Sequence, residues 1–143
     1  MSELMPDDDL YNKELLRLAA MGDCRLESPH HTIIHNNPLC GDRITLDLAM
    51  HDNLISEIGY KAQSCALCKA SAQLIKELSH GCDLTELEKI HQQLKLQLKE
   101  NLPISLPSEW ESFHIFQPVA AIKNRHSCVL LPFQALAKIE TIY

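Results

Sequence analysis

Basic charge is scarce in this chain. Thirteen Lys and Arg face nineteen Asp and Glu over 143 residues, a formal net charge of −6. That balance argues against a nucleic-acid surface, which needs a basic face. Long apolar runs are also missing. None approaches the ~18 residues that a membrane-spanning helix needs. The opening stretch, MSELMPDDDL, is acidic where an export signal is positive, so a cytoplasmic location is the expectation. Internal repeats, low-complexity tracts and linkers are absent, and the length suits one domain over 1–143. Only four glycines are present, so each one at a bend invites a reason. Paired CxxC ribbons, the mark of many zinc folds, are absent too.

Six cysteines are present. In a reducing compartment they favour metal binding or thiol chemistry over disulfides. In NNPLCGD, residues 36–42, Gly41 lets the backbone turn sharply, so Cys40 and Asp42 can address one point. The patterning around this loop predicts the folding units. DDDLYNKELLRLAAM reads as a helix with Tyr11, Leu15, Leu18 and Ala19 on one face. HTIIHNNP reads as a strand. RITLDLAM alternates, with Ile44, Leu46, Leu48 and Met50 inward and Arg43, Thr45 and Asp47 outward. HDN turns the chain, and LISEIGYKA returns as the second arm of a hairpin.

Helix formers dominate from Cys65 onward. CALCKASAQLIKELSHG stops at Gly81. A second helix follows, with Asp83 and Glu86 placed as a capping box and Leu87, Ile90, Leu94 and Leu98 as its apolar stripe. LPISLP breaks it. SEWESFHIF adds a short helix before Pro118, with Trp110 and Phe113 read as packing residues, and a last helix runs from about Leu130. Strands first and helices later describe an α+β fold: a small antiparallel sheet of about three strands packed against several helices.

Cys40 sits in a loop, Cys65 at a strand-to-helix junction and Cys128 near the start of the last helix. Helix N-termini favour the thiolate. With Asp42, these three thiols make four donors, enough for a tetrahedral zinc or for an iron–sulfur cluster. Three unrelated buried thiols are the competing reading. Cys65 and Cys68 form a CxxC, whose functional reading is a redox pair or an extra ligand; without a thioredoxin-like βαβ context the favoured reading is two thiols on one helical face. Cys24 and Cys82 have no partner pattern. His30 and His31 read as loop histidines, His126 as a nearby donor or spare ligand, and Lys123 and Arg125 as charges that are solvated or that face a partner or the anionic metal site.

NNPLCGDRI before a β-hairpin, SCALCKASA opening a helix with its CxxxxAS pattern at Cys65 to Ser71, and RHSC before a terminal helix form one set. Together they resemble the iron–sulfur cluster assembly scaffold family, that of IscU, SufU and the NifU N-terminal domain, from about Leu10 to Ile139. The resemblance implies Cys40, Asp42, Cys65 and Cys128 as metal or cluster ligands. Sixty-three positions separate Cys65 from Cys128. That gap is longer than in the IscU branch and implies an insertion over about 83–117, as in the SufU branch. PVAAIKNRHSC lacks the LPPVK chaperone motif of IscU proteins, and Ser127 rather than His126 precedes Cys128. Further departures are Ser64 where the family has glycine, Cys68 where it has serine, Pro132 shortly after Cys128, and CRLESPH in place of a basic NPRN stretch.

The SufU likeness implies a zinc-bound sulfur acceptor that receives persulfide sulfur from a cysteine desulfurase, with Cys128 or Cys40 taking the sulfur. It implies a sulfur carrier that assists an enzyme rather than a stand-alone one, with iron–sulfur assembly or carrier proteins downstream. Asp42, the hard donor on a borderline-soft ion, is the ligand expected to exchange. Two alternatives stay open: a scaffold assembling a [2Fe–2S] cluster on the same ligands, and a non-catalytic zinc-stabilised interaction domain.

Overall fold

The computed structural model describes residues 12–38 and 41–140. The fold is α+β, with three antiparallel strands in the order β1-β2-β3. They are β1 (His31–Asn36), β2 (Arg43–His51) and β3 (Leu54–Gln63). Helices α1 (Lys13–Ala20), α2 (Ala66–Leu78), α3 (Leu84–Lys99) and α4 (His126–Glu140) complete the fold. No helix among the described residues is long and apolar enough to cross a membrane.

The β2–β3 hairpin turns at Asp52 and Asn53, whose φ values of 53° and 65° give the pair of left-handed residues that a two-residue I′ turn requires. Ile44, Leu46 and Leu48 face the core as expected, while a register shift at Ala49/Met50 leaves Met50 only half-buried. Helix α4 packs on β1 and β2, and α2 packs on β3, α1 and α4. The stripe of α3 (Leu87, Ile90, Leu94, Leu98) is buried. Its N-terminus carries the expected capping box between Asp83 and Glu86.

Three expectations need correction. Between α3 and α4 the chain is a 3₁₀ segment, Ser108–Ala121, which continues through Pro118 instead of ending before it. Buried Trp110, Phe113 and Phe116 anchor it, and Phe113 lies 5.5 Å from the Phe133 ring of α4. Each such ring withdrawn from water contributes about 2–3 kcal/mol. Helix α4 begins at His126, four residues earlier than predicted. Pro132 only removes the amide that would reach back to the Cys128 carbonyl, and the helix runs through it. Helix α2 ends at Leu78, before Gly81, which takes φ 84° and donates its amide to the Ile55 carbonyl of β3.

The outward face of β2 is not all solvent. Asp47 is 0 % exposed because the 24–30 segment folds over it. Its carboxylate accepts from the Arg25 guanidinium at 3.1 Å, the Leu26 amide at 3.0 Å and the Thr32 hydroxyl of β1 at 2.7 Å. Cys24 pairs with Tyr60 of β3, and Gly59 makes that approach possible, since a Cβ there would meet the Cys24 carbonyl at 2.6 Å. Burial pushes the Asp47 carboxyl up, but the Arg25, Thr32 and Leu26 donors outweigh it and hold it below its usual value. A lowered native value stabilises the fold above the unfolded carboxylate range and loses that stability as pH falls through the native value. Asp47→Asn is therefore expected to cost about 2–3 kcal/mol at pH 7 in urea denaturation. The gap to wild type is expected to close as the pH drops below about 4.

Candidate metal centre

Asp42 closes the β1–β2 loop. The Asn37 amide donates to the Asp42 carbonyl and the Gly41 amide to the Asn37 carbonyl, both at 2.8 Å. Gly41 has φ 75° and open space around its missing Cβ, so this position calls for backbone freedom rather than room. Cys40, the neighbouring sequence candidate, lies outside the described residues.

Cys65 is the N-cap of α2, with extended backbone at φ −74° and ψ 168°. Its predecessor Ser64 needs no glycine, because the non-glycine residues with positive φ among the described residues are Asp52, Asn53 and Asn101. The Cys65 thiol is lowered to about 7. The Cys128 thiol donating to its sulfur is the main cause; burial and the Asp42 charge oppose, and the Cys68 and Leu67 amides add to the lowering. These amides are the unsatisfied donors of a helix start, which favour negative charge. Cys128 is the third residue of α4 and only 1 % exposed.

The fold brings three of the four predicted ligands together. One ligating atom from each of Asp42, Cys65 and Cys128 lies within 4.8 Å of the others. Asp42 is 8 % exposed, and its Oδ2 is buried without a hydrogen-bond partner among the described residues. A buried, unpartnered carboxylate oxygen beside two thiols is costly and fits a cation with mixed sulfur and oxygen ligation. The donor set thus suits zinc or an iron–sulfur cluster.

Sequence reading passed over the role of Ser71. Its hydroxyl, buried on α2, donates to the Val129 carbonyl of α4 at 2.7 Å and so fixes the helix bearing Cys65 against the helix bearing Cys128. The signal was its place in CxxxxAS, six residues after Cys65. His126 stays outside the cluster, donating Nε2–H to the Ala120 carbonyl at 3.1 Å. Cys24 and Cys82 also lie outside it, and His30 accepts the Met50 amide through Nδ1.

A family model described as the NifU-like N-terminal domain matches residues 21–109. The chain belongs to the NifU-like N-terminal domain family. The matched span of this NifU-like domain contains Cys40, Asp42 and Cys65 and stops before Cys128. The structure of a nitrogen-fixing NifU-like protein (N-terminal) from Brucella abortus superposes with a TM-score of 0.87 at 30% identity, over 96% of this chain and 97% of that one. The domain is 26% identical over 106 residues to the zinc-dependent sulfurtransferase SufU of Bacillus subtilis, covering 72% of this chain and 69% of that protein. It is 30% identical over 67 residues to the iron–sulfur cluster assembly scaffold protein IscU 1 of Archaeoglobus fulgidus, covering 47% of this chain and 44% of that protein. The NifU-like domain is thus a member of the iron–sulfur cluster assembly scaffold family.

Two outcomes follow for the metal-free, reduced NifU-like domain. Iodoacetamide labelling mapped by peptide is expected to modify Cys65 well before Cys68 and Cys128, with a rate that climbs as pH rises through about 7. Ser71→Ala leaves the Val129 carbonyl without its buried donor. It is expected to cost about 1–2 kcal/mol in denaturant melts.

Proposed function

We propose that this chain is a zinc-bound sulfur acceptor of iron–sulfur cluster assembly that receives persulfide sulfur from a cysteine desulfurase. One observation carries the reading: the ligating atoms of Asp42, Cys65 and Cys128 lie within 4.8 Å, and one Asp42 oxygen is buried with no other described partner. Cys40, two residues before Asp42, supplies the fourth donor. Bound there, zinc would hold the thiols deprotonated in a fixed array.

The chain's own groups account for the rest. Amides of Leu67 and Cys68 hold negative charge on Cys65. Cys40 and Cys128 are the proposed entry thiols. The thiolate of either attacks the terminal sulfur of the desulfurase persulfide, forms an S–S bond and releases the desulfurase cysteine as thiolate. Cys128, at 1 % exposure, needs the site to open before it reacts. Four protein donors leave no open position for water, so hydrolysis is not the chemistry.

A scaffold that carries a [2Fe–2S] cluster as cargo on the same donors is the second reading, and the likeness to IscU 1 favours it. Metal analysis of the purified chain separates the two. Stoichiometric zinc is expected in wild type, with retention at least about tenfold weaker in Asp42→Ala. Wild type is expected to stimulate alanine formation by a cysteine desulfurase, and Cys40→Ala or Cys128→Ala to lose that stimulation. Iron content with visible absorption after anaerobic incubation with iron and sulfide selects the scaffold. Full zinc content in single alanine variants of all four residues overturns both.

A further inference from the structure

The sulfur-acceptor reading leaves Cys68 unused. Cys65 and Cys68 occupy the N-cap and third positions of α2. In a capping box the side chain at each of these two positions reaches the backbone amide of the other. Asp83 and Glu86 do so at the start of α3, where the Asp83 carboxylate accepts the Glu86 amide at 2.7 Å and the Glu86 carboxylate accepts the Asp83 amide at 3.5 Å. In α2 the Cys68 amide lies near enough to the Cys65 sulfur to favour its negative charge. Helix geometry separates such a pair of Cα atoms by about 5–6 Å, within the span of a disulfide. Cys65 is half-buried and Cys68 is 0 % exposed. An incoming reagent therefore meets the first thiol and not the second.

We propose that Cys68 is a resolving thiol that converts sulfur carried on Cys65 into sulfide. This rests on the sulfur-acceptor reading. Sulfur received on Cys128 passes to Cys65 when the Cys65 thiolate, within 4.8 Å, attacks the terminal sulfur and regenerates the Cys128 thiolate. The Cys68 sulfur then attacks the inner sulfur of the Cys65 persulfide. The Cys65–Cys68 S–S bond forms and the bond to the terminal sulfur breaks. The terminal sulfur leaves as hydrosulfide and takes the Cys68 proton. Counted from two thiols and one delivered sulfur atom, two electrons leave the thiols and two reach the sulfur. A desulfurase delivers sulfur at the persulfide level, whereas cluster assembly consumes sulfide. The pair thus supplies the reducing equivalents for one turnover, and a dithiol reductant resets it.

The test is a single turnover of the reduced full chain with cysteine persulfide under anaerobic conditions. Desalting and non-reducing trypsin digestion follow. Cleavage at Lys61 and Lys69 isolates Ala62–Lys69, which holds both cysteines and no other. Wild type is expected to release about one sulfide per chain and to yield this peptide lighter by two hydrogens. Cys68→Ser is expected to yield it heavier by one sulfur atom, with sulfide release at least about tenfold lower. Cys68→Ala, which places no hydroxyl in the core, is expected to behave the same way. Wild type that keeps the added sulfur as stably as both variants overturns the proposal. So does sulfur held on Cys40 or Cys128 with no Cys65–Cys68 link, while sulfur acceptance stands. Absence of added sulfur on any ligand cysteine in all three chains overturns the acceptor reading along with it.

Discussion

Two thiols and a carboxylate meet at one nearly dry point, and like charges there repel. At 4.8 Å, two unit charges cost each other about 3 kcal/mol at an effective dielectric of ~20. Protons can relieve this, as the Cys128 thiol does when it donates to the Cys65 sulfur. A borderline-soft divalent cation relieves it more completely, because it also satisfies the buried Asp42 Oδ2. The remaining architecture serves to hold these groups together in spite of that repulsion.

Three independent pieces of backbone do the holding. The β1–β2 loop, closed by hydrogen bonds between Asn37, Gly41 and Asp42, aims the carboxylate. The start of α2 aims Cys65 and offers it two amides. Helix α4 aims Cys128, and the Ser71 hydroxyl fastens it to α2. Behind them the aromatic group of Phe113, Phe116 and Phe133 ties the 3₁₀ segment to α4. On the far side of β2, Asp47 gathers Arg25, Leu26 and Thr32, so β1 is held by polar bonds on a face the core does not reach. Packing makes the pocket stiff, and the helix amides and thiol hydrogen bond make it tolerant of negative charge.

Much of this was legible in the sequence because it is local. Two-residue alternation gave β2, and the Asp83/Glu86 spacing gave the start of α3. The junction at Cys65 marked a helix start whose amides lower a thiol. What escaped depends on distant chain. Asp47 reads as an exposed residue on an alternating strand, and only the fold-over of the 24–30 segment buries it. Pro132 suggested a late start for α4, yet a helix loses only one donor there and tertiary contacts outweigh that loss. Convergence of Asp42, Cys65 and Cys128 follows from no spacing rule; the residues alone left it undecided, and the family resemblance supplied the expectation. The bond from Ser71 to Val129 spans 58 positions and was invisible before folding.

X-ray absorption at the zinc edge of the loaded chain tests the central claim most directly, since it counts donor atoms around the ion without reference to activity. Three sulfurs and one oxygen in the first shell are the predicted result. A shell of nitrogen and oxygen alone, or one with fewer than two sulfurs, would contradict it.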